Sequence, residues 1–111
     1  HPQHKPKESD WCVYRDHTQE WRDRYLKRKN AEIAESITAG DGTPTERFWG
    51  AKEKIEEEAK KLKGCFDPHS RSDMGNNVLS MYSCGVIDDE DLELFSDEFQ
   101  EWAEGCIEVL S

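Results

Sequence analysis

Long apolar runs are missing from this chain. No stretch approaches the ~20 consecutive apolar residues that a membrane span requires, so a spanning protein is excluded. Basic residues are scarce as well: 15 Lys+Arg stand against 25 Asp+Glu, a formal charge of −10. A general nucleic-acid binder needs a basic surface to displace counterions from phosphate, and this balance argues against one. There is no G-x-G-x-x-G and no G-x-x-x-x-G-K, which excludes dinucleotide and P-loop enzymes. No N-x-[ST] sequon occurs, so N-glycosylation is not expected. Hydrophobic residues make up only 34% of the 111 positions, enough for one domain at most, with a lean core.

That core is helped by bulk. Four Trp, four Phe and three Tyr are present, and aromatics bury roughly 150–250 Å² each. Four cysteines offer a second source of stability: Cys12, Cys65, Cys84 and Cys106. In a short secreted chain an even count reads as two disulfides, with three possible connectivities; in a cytosolic chain the same residues would be buried thiols. The polar, proline-bearing start, His1-Pro2-Gln3-His4-Lys5-Pro6, is what signal cleavage or trimming leaves. Together with the cysteine parity it favours a secreted, extracellular protein.

Residues 1–8 read as an N-terminal arm without periodicity, and residues 9–111 as a single helical domain. Helix A starts at Ser9 or Asp10, either of which can cap it. Trp11, Tyr14, Thr18, Trp21 and Tyr25 recur at helical steps, with Ile33 and Ile37 continuing the stripe. Ala39-Gly40-Asp41-Gly42 ends it. Helix B opens with a T-x-x-E capping box, Thr43 and Glu46 around Pro44. Its stripe is Phe48, Ala51, Ile55, Ala59 and Leu62, and Gly64 with Asp67-Pro68 stops it. Helix C starts at Ser72 or Asp73, carries Met74, Val78, Met81 and Tyr82 on one face, and closes at Gly85. Helix D runs unbroken from about Asp88, with Leu92, Phe95, Phe99, Trp102, Cys106 and Leu110 in its stripe. The expected helices are 9–38, 44–63, 73–84 and 88–109. The fold class is therefore all-α, a four-helix bundle-like domain stapled by two disulfides. The four tryptophans are core by spacing.

If helices A and B are antiparallel, Cys12 lies level with Cys65. This favours Cys12–Cys65, leaving Cys84–Cys106. The second pair is awkward, because a straight helix D carries Cys106 roughly 27 Å from its own start. Cys12–Cys106 with Cys65–Cys84 stays open and needs helix C to lie across the bundle end.

Charge is sorted along the chain. Residues 1–66 hold 14 basic and 13 acidic side chains, residues 67–111 hold 1 and 12. Solvated faces and pairing of helix A with helix D account for part of this. The rest reads as an acidic surface aimed at a basic partner, with Glu93, Asp97, Glu101 and Glu104 as the candidate partner-facing acids.

Chemistry is sparse. The Asp88–Asp91 run fails the EF-hand pattern, since its sixth and twelfth positions are Glu93 and Phe99. Only Cys65 and His69 have a metal-like spacing, so no metal and no cofactor are expected. His69 beside Ser70, near Asp67 and Asp73, is the sole loose catalytic candidate, and adjacency does not make a triad. The expectation is a protein that is not an enzyme and works by occupying another protein's surface.

Three segments carry a resemblance: Trp11-Cys12-Val13-Tyr14-Arg15-Asp16, Gly40-Asp41-Gly42-Thr43-Pro44 and Met81-Tyr82-Ser83-Cys84-Gly85-Val86-Ile87-Asp88. With the acidic, helical, four-cysteine pattern over residues 8–111, the chain resembles the anophensin/albicin family of Anopheles mosquito salivary proteins. The resemblance implies a secreted inhibitor of host plasma defence that acts without catalysis. Its partners would be host plasma proteins: alternative-pathway complement convertase components, or the contact-activation proteins factor XII and kininogen. No functional residues are carried over. The competing expectation is an intracellular acidic helical binding protein, such as a toxin-neutralising immunity protein or an adaptor.

Overall fold

A computed structural model describes residues 7–66 and 73–110. Five helices follow in order: α1 Glu8–Thr38, α2 Pro44–Phe66, α3 Met74–Cys84, α4 Asp89–Leu92 and α5 Asp97–Leu110. No strand occurs among the described residues, so the chain is all-α.

At ~1.5 Å per residue, α1 is about 46 Å long, and it forms an antiparallel hairpin with α2. The turn between them is built by glycine. A Cβ on Gly40 would lie 2.3 Å from the Ser36 carbonyl oxygen, and Gly42 takes φ +93°. Thr43 and Glu46 then form the expected capping box: Glu46 N–H donates to Thr43 Oγ1 at 3.1 Å, and Thr43 N–H to Glu46 Oε1 at 3.2 Å. Gly64 does not stop α2, which continues to Phe66. A side chain at Gly64 would meet nothing, and the following Cys65 is buried in the core. The expected stop at Asp67-Pro68 lies outside the described residues.

Helices α3 to α5 form a head on the N-terminal half of α1. Tyr14, Trp21 and Tyr25 from α1 meet Met74, Val78 and Met81 from α3 and Phe95 and Phe99 from the last segment. Gly75 permits the close approach of α5: a Cβ there would sit 2.8 Å from the Trp102 ring. Gly85 ends α3 at φ +82°, with Val86 N–H bonded to the Met81 carbonyl at 2.8 Å, a Schellman-type close. Asp88 and Asp91 form a second capping box at the start of α4.

The unbroken helix D is corrected. The chain leaves the helix after Leu92, and Ser96 starts a new one by accepting from Phe99 N–H at 3.2 Å. Asp10 drives this break. Its buried carboxylate accepts from Ser96 N–H and from Ser96 Oγ–H, each at 2.7 Å. Asp10 is thus not the cap of α1. Lys7 precedes that helix in extended conformation and makes no side-chain cap bond. Asp73, before α3, likewise makes none.

The core is narrower than the stripes imply. Trp21 is fully buried, and Trp11 and Trp102 are partly buried against the core cluster, but Trp49 is 56% exposed. Phe48 (61%) and Ile55 (51%) are exposed as well, along with Ile37. These residues lie on the distal part of the hairpin, beyond the head. The molecule is accordingly elongated, 51 × 27 × 23 Å: an acidic head, and a two-helix arm on which no described residue adds a third layer.

Candidate protein-binding surface

Residues 73–110 carry eleven Asp and Glu and no Lys or Arg. The first question is how many of these acids the fold already uses. Asp91 is the most occupied. It is nearly buried, receives Arg24 at 2.5 and 3.2 Å and accepts Asp88 N–H at 3.0 Å. Burial pushes its carboxyl upward, but the Arg24 guanidinium and the Asp88 bonds outweigh that and hold it below the usual carboxylate range. Asp88 accepts Asp91 N–H at 3.1 Å. Asp89 accepts the Tyr82 hydroxyl at 2.8 Å, which raises the phenol above its ordinary value. Asp88, Asp89 and Asp91 are therefore spent on capping, an ion pair and a hydroxyl, while Glu90 is exposed. Glu98 meets Lys7 at 2.9 Å on the open surface.

The four expected partner-facing acids are different. Glu93, Asp97, Glu101 and Glu104 are all exposed, and among the described residues no ion pair reaches them. Asp97, Glu101 and Glu104 follow helical spacing along one side of α5. Glu93 and Glu104 also line an open cleft of about 450 Å³, together with Leu92, Ile107, Tyr82, Gln100 and the acids Asp89 and Glu108.

The basic stretch of α1 does not neutralise them. Arg15 pairs with its neighbour Asp16 at 3.4 Å, and Lys29 with Glu32 at 3.5 Å. Arg28 donates to the Gly85 carbonyl at 3.1 Å and lies over the Tyr25 ring. Among the described residues Arg24 and Lys7 form ion pairs with acids of the head, Asp91 and Glu98.

The cysteines are distributed in two zones. Cys65 Sγ lies 3.8 Å from Cys84 Sγ, joining the ends of α2 and α3. Burial first, then Cys84, pushes the Cys65 thiol up to about 12. Cys12 and Cys106 are half-buried elsewhere on the head. No sulfur pair is at bonding distance among the described residues, and the 3.8 Å contact accords with the connectivity that pairs Cys65 with Cys84.

Other polar groups are structural. His17 Nδ1 lies 2.8 Å from the Val13 carbonyl, and the ring stacks on Trp21. Tyr25 donates to the buried Glu58. Burial raises the Tyr25 hydroxyl further, whereas Tyr25 and the two nearby lysines outweigh burial and keep Glu58 low. His69, Ser70 and Asp67 lie outside the described residues. No group of three His, Cys, Asp or Glu side chains that could hold a metal occurs among the described residues, and no described helix is long and apolar enough to cross a membrane.

Sequence reasoning missed Asp10 and Ser96 as a pair and the bare face of the arm. Asp10 looked like a cap because an acid at a helix start is its usual signal. The chain matches no protein-family model, and no curated protein or solved structure matches it.

Proposed function

We propose that this protein is a secreted inhibitor that acts by non-catalytic binding to proteins of host plasma defence. The observation that carries the binding role is the one-signed head: among the described residues four exposed acids are reached by no ion pair, and two of them, Glu93 and Glu104, line a cleft with Leu92 and Ile107. Such a surface speeds encounter with a basic partner and orients it.

The sequence resemblance narrows the target to the alternative-pathway complement convertase, with contact activation through factor XII and kininogen as a further target. Two assays test this directly. One measures alternative-pathway lysis of erythrocytes in serum with added protein; the other measures bradykinin release in plasma activated on a negatively charged surface. Dose-dependent inhibition of the first supports the convertase, and of the second supports contact activation. No effect on either refutes the plasma-inhibitor reading. The intracellular alternative, an immunity protein or adaptor, is separated by the thiol state: the secreted reading expects a non-reducing mass four hydrogens below the fully reduced chain.

A further inference from the structure

Helix α2 is fastened to the rest of the molecule at few points. Among its described side chains three are buried: Ala51, Glu58 and Cys65. They fall seven residues apart, the repeat that keeps one line of a helix against its neighbour. Of the three, Cys65 belongs to the core cluster, and Leu62 packs partly against it. The head, in contrast, closes through Tyr14 and Trp21 of α1, Val78 and Met81 of α3, and Phe95 and Phe99. The middle fastening point of a 23-residue helix is thus a carboxylate, where such a line ordinarily carries an apolar side chain. Its partners come from two helices. The buried Tyr25 hydroxyl of α1 donates to Glu58. Lys61 of α2 reaches the carboxylate at 3.4 Å, and Lys29 of α1 adds its charge. On the other side of Tyr25 lie the Arg28 guanidinium, 5.3 Å from the ring centre, and Cys84 from α3. Burial pushes the Glu58 carboxyl up, but the hydroxyl and the two lysines outweigh it and hold it below its ordinary value.

We propose that Glu58 is an acid-released latch: while it is charged α2 is held on α1, and once it is neutral α2 detaches from a head that stays folded. A protonated Glu58 keeps its place in the line but loses the charge-assisted bond from Tyr25 and the attraction of both lysines. What remains to hold α2 is Ala51 at one end and Cys65 at the other. The head persists because its large apolar contacts run between α1, α3 and the last segment, with α2 adding Cys65 and the edge of Leu62. The carboxyl lies lower in the fold than in the unfolded chain. Its contribution is therefore complete above about pH 4.3, the ordinary glutamate value, and is lost as pH falls through the lower folded value. Release uncovers the Tyr25 side chain and Cys65, both buried in the closed form. This latch does not rest on the proposed plasma target.

Hydrogen–deuterium exchange of the intact protein, followed residue by residue, tests it. Most helical stability in proteins comes from packing, so detachment shows as lost amide protection. In the wild type, protection in α2 should fall by about tenfold or more from about pH 5 to about pH 2.5, relative to α3 and α5 at the same pH. Glu58→Gln should show the same selective loss at pH 7, since a neutral amide stands in for the protonated acid. Tyr25→Phe combined with Glu58→Leu makes the junction apolar, and α2 should then keep its protection in acid. This double variant separates Glu58 from every other carboxylate. Equal loss of protection in α2, α3 and α5 of the wild type overturns the proposal, and so does undiminished protection of α2 at the acid end. Acid release that persists in the folded double variant overturns it as well. Where a variant fails to fold, the wild-type comparison of α2 with α3 and α5 decides.

Discussion

Asp10 and Ser96 are 86 residues apart in sequence and joined by two hydrogen bonds of 2.7 Å, the Asp10 carboxylate receiving both the backbone N–H and the hydroxyl of Ser96. Ser96 in turn caps α5, so one buried carboxylate fixes both where α1 meets the head and where the last helix begins. Asp10→Ala is expected to cost about 2–4 kcal/mol. It removes two charge-assisted bonds, each worth about 1.5–3, less what water recovers. Ser96→Ala should cost less, about 1–2 kcal/mol, because the backbone bond survives. Urea unfolding of both variants and of the double variant checks this. The double variant should lose less than the two singles together, as expected for groups in contact.

The Arg24–Asp91 pair gives stability a pH dependence. Asp91 in the fold lies below its ordinary value. Its contribution is therefore full above about pH 4, the unfolded carboxylate value, and is lost as pH falls through the lower folded value. Arg24 is half-exposed, and screening discounts the pair. Asp91→Asn should cost about 1–3 kcal/mol at pH 7. The gap between variant and wild type should shrink as pH falls below 4. A gap constant from pH 7 to pH 2.5 in denaturant melts would remove Asp91 as a contributor.

Charge reversal separates function from solubility on the head. Converting Glu93, Asp97, Glu101 and Glu104 to Lys should leave the helical spectrum intact, since these side chains are exposed and lie off the buried face of Leu92, Phe95 and Phe99. Association with the proposed plasma target should slow by tenfold or more, and dissociation should change less. The wild-type association rate should also fall as salt rises, given screening over ~8 Å at physiological strength. Unchanged kinetics in the folded variant would make the acids a solubilising face only.

Cys65 Sγ and Cys84 Sγ lie 3.8 Å apart, beyond bonding distance. If the protein is oxidised as the proposed secreted reading expects, peptide mapping without reduction should recover the Cys65–Cys84 peptide, with Cys12–Cys106 as the complementary pair. The bridge would close a 19-residue interval and stabilise by about 3 kcal/mol in the chain-entropy account. A Cys12–Cys65 peptide would instead support the first of the two connectivities and exclude the Cys65–Cys84 bridge.

Much of the fold is legible in the sequence where the signal is local. The Thr43/Glu46 box, the glycine turn at 40–42 and the stop at Gly85 each depend on residues within a few positions. The stripe Tyr14, Thr18, Trp21 and Tyr25 is legible for the same reason: helical period marks which face is apolar. It does not say what covers that face. Phe48, Ile55 and Ile37 keep the period and remain exposed because the head ends before it reaches them. The break at 93–96 is hidden because Leu92, Phe95, Phe99 and Trp102 keep helical spacing across it. Its cause lies at Asp10, which no local pattern connects to Ser96. The acidic head is legible from composition alone, but which acids stay unoccupied depends on Arg24, Lys7 and the caps.

The Asp10–Ser96 clasp also bears on the order in which the chain folds. The hairpin closes locally, with Arg47 reaching the Thr38 carbonyl only nine residues back. The clasp spans 86 residues. Closing the longer loop costs about 2 kcal/mol more chain entropy, from the (3/2)RT ln n dependence. The hairpin should therefore form early and the clasp late. Substitutions at Asp10 would then show mainly as faster unfolding, and those in the Thr43/Glu46 turn mainly as slower folding.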